Sequence, residues 1–170
     1  MNKINLLEVC KGANSIGISA HIRPDGDAIG SCLALYHYLR NMLPEVSVKV
    51  FLETPPACFA KMEGIGEIDS LFPEQEPFDV FFALDVAKEE SRMGASYKYA
   101  ETAKCVVNID HHISNKSGSG DINFVLPEAA ATCEVLFGLM EEEWMDAIEK
   151  SVPAKFLELN KTAFQLGRNA

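Results

Sequence analysis

Apolar residues fall along this chain in short compact runs, most of them followed by a polar stretch and then by a segment with helical spacing. The opening NKINLLEVCKGA spaces Ile4, Leu6, Leu7 and Val9 compatibly with a short helix, and Gly12 stands where it would stop. Ser15 to Ala20, SIGISA, is suited to a buried strand ending at His21. From Ala28, AIGSCLALYHYLRNML places Ile29, Cys32, Leu33, Tyr36 and Leu39 on one face, and Pro44 closes the pattern, which predicts a helix. VSVKVFL, from Val46 to Leu52, alternates and meets the breaker TPP, so it is a second predicted strand. Asp79 to Val86, DVFFALDV, is a third, and Lys104 to Asp110, KCVVNID, a fourth. Glu128 to Glu143, preceded by Pro127 and rich in alanine and leucine, predicts another helix. Strands alternating with helices predict an α/β fold, a doubly wound, mainly parallel sheet with helices on both faces.

Composition narrows the class. The 170 residues are 48% hydrophobic and 24% charged, ordinary material for one domain with a sizeable core. A formal net charge of −10 argues against binding nucleic acid through a broad basic surface, so a polyanionic substrate would need help from cations. Five cysteines without CxxC spacing do not resemble a secreted disulfide framework, and a reducing, cytoplasmic setting is expected. No apolar run approaches the roughly 20 residues that span a bilayer, and no membrane partner is expected.

Candidate chemistry sits where the predicted strands end. His21, Asp25 and Asp27 follow the first, Asp85 closes the third, and Asp110, His111 and His112 close the fourth. In open parallel sheets ligands bind beyond the carboxyl ends of the strands, so these groups are placed to converge. Aspartate oxygens with histidine nitrogens suit manganese, iron or zinc better than calcium or magnesium. A carboxylate such as Asp85 can bridge two ions, and ions about 3.5–4 Å apart stabilise attacking and leaving oxygens in phosphoester hydrolysis. Each group also has a plainer role. Asp25-Gly26 is a common turn pair, Asp27 suits a cap for the helix at Ala28, Asp85 suits a turn, and His111-His112 suits a solvated loop. Gly26 and Gly30 are expected to let the first loop turn tightly into its helix. Gly30 and Ser31 lie where first-turn N–H groups favour an anion or simply pack as a cap.

HIRPDGDAIGS, from His21 to Ser31, closely resembles the first motif of the DHH phosphoesterase family. NIDHHISN, from Asn108 to Asn115, resembles its eponymous motif, and ALDV around Asp85 lies between them. EAAATCEVLFGLM, from Glu128 to Met140, is similar to the helix start of the nanoRNase/pAp phosphatase branch. The resemblance covers residues 1–150 and implies two ions, usually manganese (Mn2+), in the sheet crevice. His21, Asp25 and Asp85 would hold one ion, and Asp27, the bridging Asp85 and His111 the other. His112 would contact the scissile phosphate, Asp110 would orient the histidines, and a metal-activated hydroxide would attack. Arg23, projecting from the metal loop, is a candidate for phosphate contact. Short oligoribonucleotides and 3′-phosphoadenosine 5′-phosphate are the implied substrates, and a homodimer is the implied assembly.

Two features depart from the family pattern. A further metal-binding Asp is expected on a later strand, yet Ser151 to Ala170 contains no Asp, and Asp146 falls too early, in an acidic segment. The second ion would therefore lose a ligand, which water can replace. The expected organisation is a DHH domain over residues 1–150 and a divergent tail over 151–170, with the second, substrate-binding domain absent. In the tail, Phe156, Leu157, Leu159, Phe164 and Leu166 suit a helix or strand packed on an exposed sheet face, and the good helix formers from Lys155 to Gln165 favour helix. Glu141 to Glu143 suits a solvated helix face, and His37 suits partly buried structure. Within the same chemistry the alternatives are a cyclic-dinucleotide phosphodiesterase, a single-strand exonuclease and a manganese pyrophosphatase. From another class comes a catalytically incomplete domain that binds metal, nucleotide or a partner.

Overall fold

A computed structural model of the chain describes residues 5–168; Ile4 lies outside them, as do the side chains of Glu141, Glu142, Glu143, Asp146, Ala147 and Arg168. Six strands form one sheet: β1 (Ser15–Ser19), β2 (Ser47–Phe51), β3 (Ile68–Asp69), β4 (Val80–Leu84), β5 (Val106–Asp110) and β6 (Ile122–Val125). Their spatial order is β3-β2-β1-β4-β5-β6, and every pairing is parallel. The order reverses between β1 and β4, which pair from Ile16 with Val80 to Ser19 with Ala83. That reversal opens a crevice at the carboxyl ends of those two strands.

The strands are legible in their side chains. β4 and β5 are buried at every position, as expected of strands covered on both faces. β2, SVKVF, alternates because it lies nearer the sheet's edge. On one face, Ile16, Ile18, Val48, Val50, Phe82, Leu84, Val107 and Ile109 meet α1 (Leu6–Val9), α2 (Gly26–Met42) and α5 (Thr132–Leu139). On the other, Phe51, Phe78 and Phe81 gather with Tyr99 of α4 (Tyr97–Thr102) and Met93 of α3 (Glu90–Met93). The rings of Phe51 and Tyr99 lie 4.3 Å apart, and each fully buried aromatic contributes roughly 1.5–3 kcal/mol through its area alone.

Several sequence expectations are corrected. The cap of α2 is Asp25, whose Oδ1 accepts from the N–H groups of Asp27 and Ala28; the helix therefore starts at Gly26, and Asp27 is inside its first turn. Gly26 and Gly30 do not turn the loop, because both are helical, and the left-handed residue is Arg23 at φ 53°. Gly30 instead makes room for Cys133, whose Sγ would lie 3.2 Å from an added Cβ. The helix predicted over Glu128 to Glu143 begins only at Thr132, since Ala131 is extended at φ −157° and ψ 155°, and it breaks at Met140 before α6 (Glu141–Ser151). The tail is helical, α7 (Leu157–Arg168), but does not cover the sheet. Phe164 rests on Phe137 of α5 with ring centroids 5.8 Å apart, and Phe156, Leu159 and Leu166 are exposed. Strands β3 and β6 and helices α3 and α4 have no counterpart in the apolar pattern. His37 is partly buried beside Tyr36, away from the strand ends. No described helix is long and apolar enough to cross a membrane.

Candidate metal centre

Three strand ends deliver the polar groups to the crevice. The loop after β1 carries His21, and two backbone hydrogen bonds strap it down: Ile22 N–H donates to the Arg92 carbonyl at 2.9 Å, and Arg23 N–H to Glu53 Oε2 at 2.7 Å. Asp85 follows β4 with φ 57°, a left-handed backbone that aspartate and asparagine adopt more readily than other non-glycine residues. Its side chain is almost wholly buried. Asp110 ends β5, and His111 and His112 follow it.

His21 Nε2 lies 3.4 Å from Asp85 Oδ2 and 3.8 Å from Asp25 Oδ1. His111 Nε2 lies 3.6 Å from Asp85 Oδ1 and 3.7 Å from Asp27 Oδ2, and His112 Nδ1 lies 3.6 Å from Asp85 Oδ1. The ligand atoms of His21, Asp25 and Asp85 fall within 4.8 Å of one another, and so do those of Asp85, His111 and His112. Asp85 thus belongs to both groups, one on each carboxylate oxygen.

The histidine tautomers fit a cation. His21 Nδ1 lies 2.7 Å from the Ile22 carbonyl and His111 Nδ1 3.2 Å from the Ala129 carbonyl. A carbonyl only accepts, so each Nδ1 carries the proton, and each neutral ring aims an Nε2 lone pair at the Asp85 carboxylate. Two acceptors facing each other need a positive charge between them. Without a metal a proton supplies it: the Asp85 carboxylate pushes the His21 imidazole up to about 9, over the opposing effect of its partial burial.

Neighbouring groups hold the ligands. Asp110 accepts four hydrogen bonds, from the N–H groups of His111 and His112, from His112 Nδ1 at 2.7 Å and from Asn115 Nδ2 at 2.8 Å. Fully buried Asn108 donates to the carbonyls of Ala83 and Val86 and accepts from Asn115, joining the ends of β4 and β5. Thr132, also fully buried, donates its hydroxyl to Asp85 Oδ1 at 2.9 Å. Asp27 accepts the N–H groups of Thr132 and Cys133 at 2.7 and 2.9 Å, so it caps α5. Burial pushes the Asp27 carboxyl up, but the Cys133 thiol, these N–H groups and His111 outweigh burial and hold it below its ordinary range.

The structure therefore brings His21, Asp25, Asp85, His111 and His112 together. Asp27 stands beside His111 with both oxygens engaged by α5, and Asp110 lies behind His112. A cavity of about 480 Å³ opens beside the cluster, lined by His21, Arg23, Asp85, Asp110 and half-exposed His112. Arg92 and Ser114 also line it. Sequence reasoning gave no role to Thr132, Asn108, Asn115 or Arg92, although the first three lie within the quoted motifs and Asn108 is polar inside the apolar run VVNID.

An all-parallel sheet in this order, with an acidic and imidazole cluster at its reversal, defines a doubly wound α/β protein with a metal-site architecture. Sequence comparison specifies it further: the model of the DHH family, N-terminal domain, matches residues 15–163, and the chain belongs to that family. It is 32% identical over 149 residues to the bifunctional oligoribonuclease and PAP phosphatase NrnA of Thermus thermophilus, covering 85% of this chain and 43% of that protein. To the Bacillus subtilis protein of the same name it is 29% identical, covering 82% of this chain and 42% of the relative. Among solved structures, an exopolyphosphatase-related protein from Bacteroides fragilis matches with a TM-score of 0.66 and 29% identity, covering 80% of this chain and 42% of that one. The chain spans less than half the length of these relatives.

Proposed function

We propose that this chain is a manganese-dependent phosphoesterase domain that hydrolyses short oligoribonucleotides and 3′-phosphoadenosine 5′-phosphate. The observation that carries this reading is the sharing of Asp85 between two groups of ligand atoms. His21, Asp25 and Asp85 would hold one ion, and Asp85 with His111 and Asp27 the other, as the family resemblance implies. When bound, the ions supply the positive charge that the cluster lacks and activate a water for attack. Water adds to the phosphorus, the P–O3′ bond breaks and O3′ takes a proton. 3′-Phosphoadenosine 5′-phosphate so yields AMP and phosphate, and a dinucleotide yields mononucleotides.

The chain's own groups position the reactants. His112, half-exposed in the cavity, contacts the scissile phosphate, and the Asp110 carboxylate fixes its ring through Nδ1. Arg23, on the cavity wall, adds a phosphate contact. Five unpaired cysteines suit a reducing, cytoplasmic setting, and assembly as a homodimer follows from the family resemblance.

A second reading is a domain that binds metal or nucleotide without turnover. Its support is the absence, between Ser151 and Ala170, of the further Asp that the family resemblance implies. Both readings meet one experiment: the purified chain with manganese is given 3′-phosphoadenosine 5′-phosphate, diribonucleotides, a cyclic dinucleotide, single-stranded DNA and pyrophosphate. The expected outcome is hydrolysis of the first two, lost in Asp85→Asn. Preference for one of the other three replaces the substrate assignment, and no hydrolysis above the Asp85→Asn control favours the second reading.

A further inference from the structure

The cavity beside the metal centre is lined by two unlike kinds of side chain. His21, Asp85, Asp110 and His112 line it with acidic and imidazole groups, and Arg23, Ser91 and Arg92 line it with guanidinium and hydroxyl groups. Its volume of about 480 Å³ suits a small-molecule ligand. In a chain of net charge −10, two guanidinium groups on one cavity call for an explanation. Lys98 and Lys104 have carboxylate partners, Glu74 and Asp79, whereas neither guanidinium has one among the described residues. The nearby carboxylate, Glu53, accepts the backbone N–H of Arg23.

The backbone fixes Arg92 where it stands. Its carbonyl takes the Ile22 N–H at 2.9 Å, which ties α3 to the loop that carries His21. Met93, next in the chain, is buried in the core with Tyr99. Gly94 follows at φ 56°, and a Cβ there would meet Ile22 Cγ2 at 2.7 Å, so glycine lets the two segments close on each other. An exposed arginine on so short and so firmly tethered a helix is held by its backbone, not by its side chain.

We propose that Arg92, together with Arg23, forms a subsite for a second phosphoryl group of the substrate, the one that is not cleaved. The guanidinium fork matches a phosphate bidentately, while His112 and the metal ligands that line the same cavity receive the scissile group. Such a subsite selects nucleotides carrying two phosphoryl groups across one ribose, and 5′-phosphorylated dinucleotides, over substrates with a single phosphate. This inference rests on the phosphoesterase reading and adds the residue that sets its specificity.

The test uses the full chain with manganese and compares 3′-phosphoadenosine 5′-phosphate with 3′-AMP, which lacks the 5′-phosphate. KM values come from hydrolysis and Kd values from calorimetry, for the unsubstituted protein, Arg92→Ala and Arg92→Lys. The unsubstituted protein is expected to prefer the bisphosphate, and Arg92→Ala to cut that preference by about 10–100-fold, as expected for a lost hydrogen bond to a charged group. Arg92→Lys should restore part of it. Equal Kd values for the bisphosphate in Arg92→Ala and the unsubstituted protein would overturn the subsite while leaving hydrolysis intact. So would equal affinity of the unsubstituted protein for the two nucleotides. Binding that depends on Arg92 without any hydrolysis would instead overturn the phosphoesterase reading and keep the subsite. Thermal melts control for folding, and exposed Arg92 should leave them in place.

Discussion

At the amino end of the sheet, Asp79 accepts the N–H groups of Asn14 and Ser15 at 2.8 and 3.2 Å and the Lys104 ammonium at 2.6 Å. Asp121 accepts the Val106 N–H at 2.7 Å in the same way. At the carboxyl end, Asp85 faces two imidazole lone pairs and a third ring, and the nearby carboxylates are Asp25, Asp27 and Asp110. The same side chain is thus used twice on one sheet. Where the chain supplies its partners, the carboxylate joins strands; where the chain supplies more acceptors than donors, it leaves a place for a cation. The backbone differs in the same sense, since φ 57° puts Asp85 in the left-handed region that few non-glycine residues occupy.

Thr132 offers the larger way to break this contrast. It is the one hydroxyl donor to Asp85 among the described residues, and Thr132→Val leaves Oδ1 without it. Hydrolysis of 3′-phosphoadenosine 5′-phosphate should fall about 10–100-fold, the range for a lost partner of a metal ligand, with Thr132→Ser recovering most of it. A manganese titration run alongside should weaken with the rate. A rate that falls with manganese affinity unmoved would mean that the hydroxyl does not hold the ligand.

Asp79→Asn sharpens the other side, with a smaller effect confined to stability. The hydrogen bond from Lys104, then those from Asn14 and Ser15, hold the Asp79 carboxyl down at about 2. A depressed carboxyl stabilises the fold above its ordinary value of about 4 and loses that contribution as pH falls toward 2. Asp79→Asn should therefore melt earlier than the unsubstituted protein at pH 7, and the gap should close as the pH is lowered through that window. Its manganese affinity should not change. A loss of affinity would show that the two ends of the sheet are not independent.

How much of this was legible in the sequence follows from distance along the chain. Runs such as SIGISA and DVFFALDV announce β1 and β4 because full burial demands uninterrupted apolar residues, and their last residues mark the crevice. β6 escaped notice because INFV is short and follows SGSGD, which reads as loop. The start of α5 was misjudged because alanines favour helix, while the Ala129 carbonyl accepts from His111, the Ala130 N–H goes to Glu134, and the N–H groups of Thr132 and Cys133 go to Asp27, more than a hundred residues away. The roles of Thr132 and Arg92 were invisible for the same reason: each acquires its setting from a segment remote in sequence. Asp25 and Asp27 exchanged capping roles because turn chemistry at Asp25-Gly26 and cap chemistry at Asp27 look alike until the helix start is known.

The central claim is that the carboxyl end of the sheet is a two-cation site joined through Asp85. Calorimetric titration of the 170-residue chain with manganese tests it most directly, against Asp85→Asn, a substitution that keeps the left-handed backbone accessible. The account predicts two ions per chain for the unsubstituted protein and loss of at least one in Asp85→Asn, with the fold intact by circular dichroism. Absence of manganese binding, or binding that Asp85→Asn leaves unchanged, would contradict it.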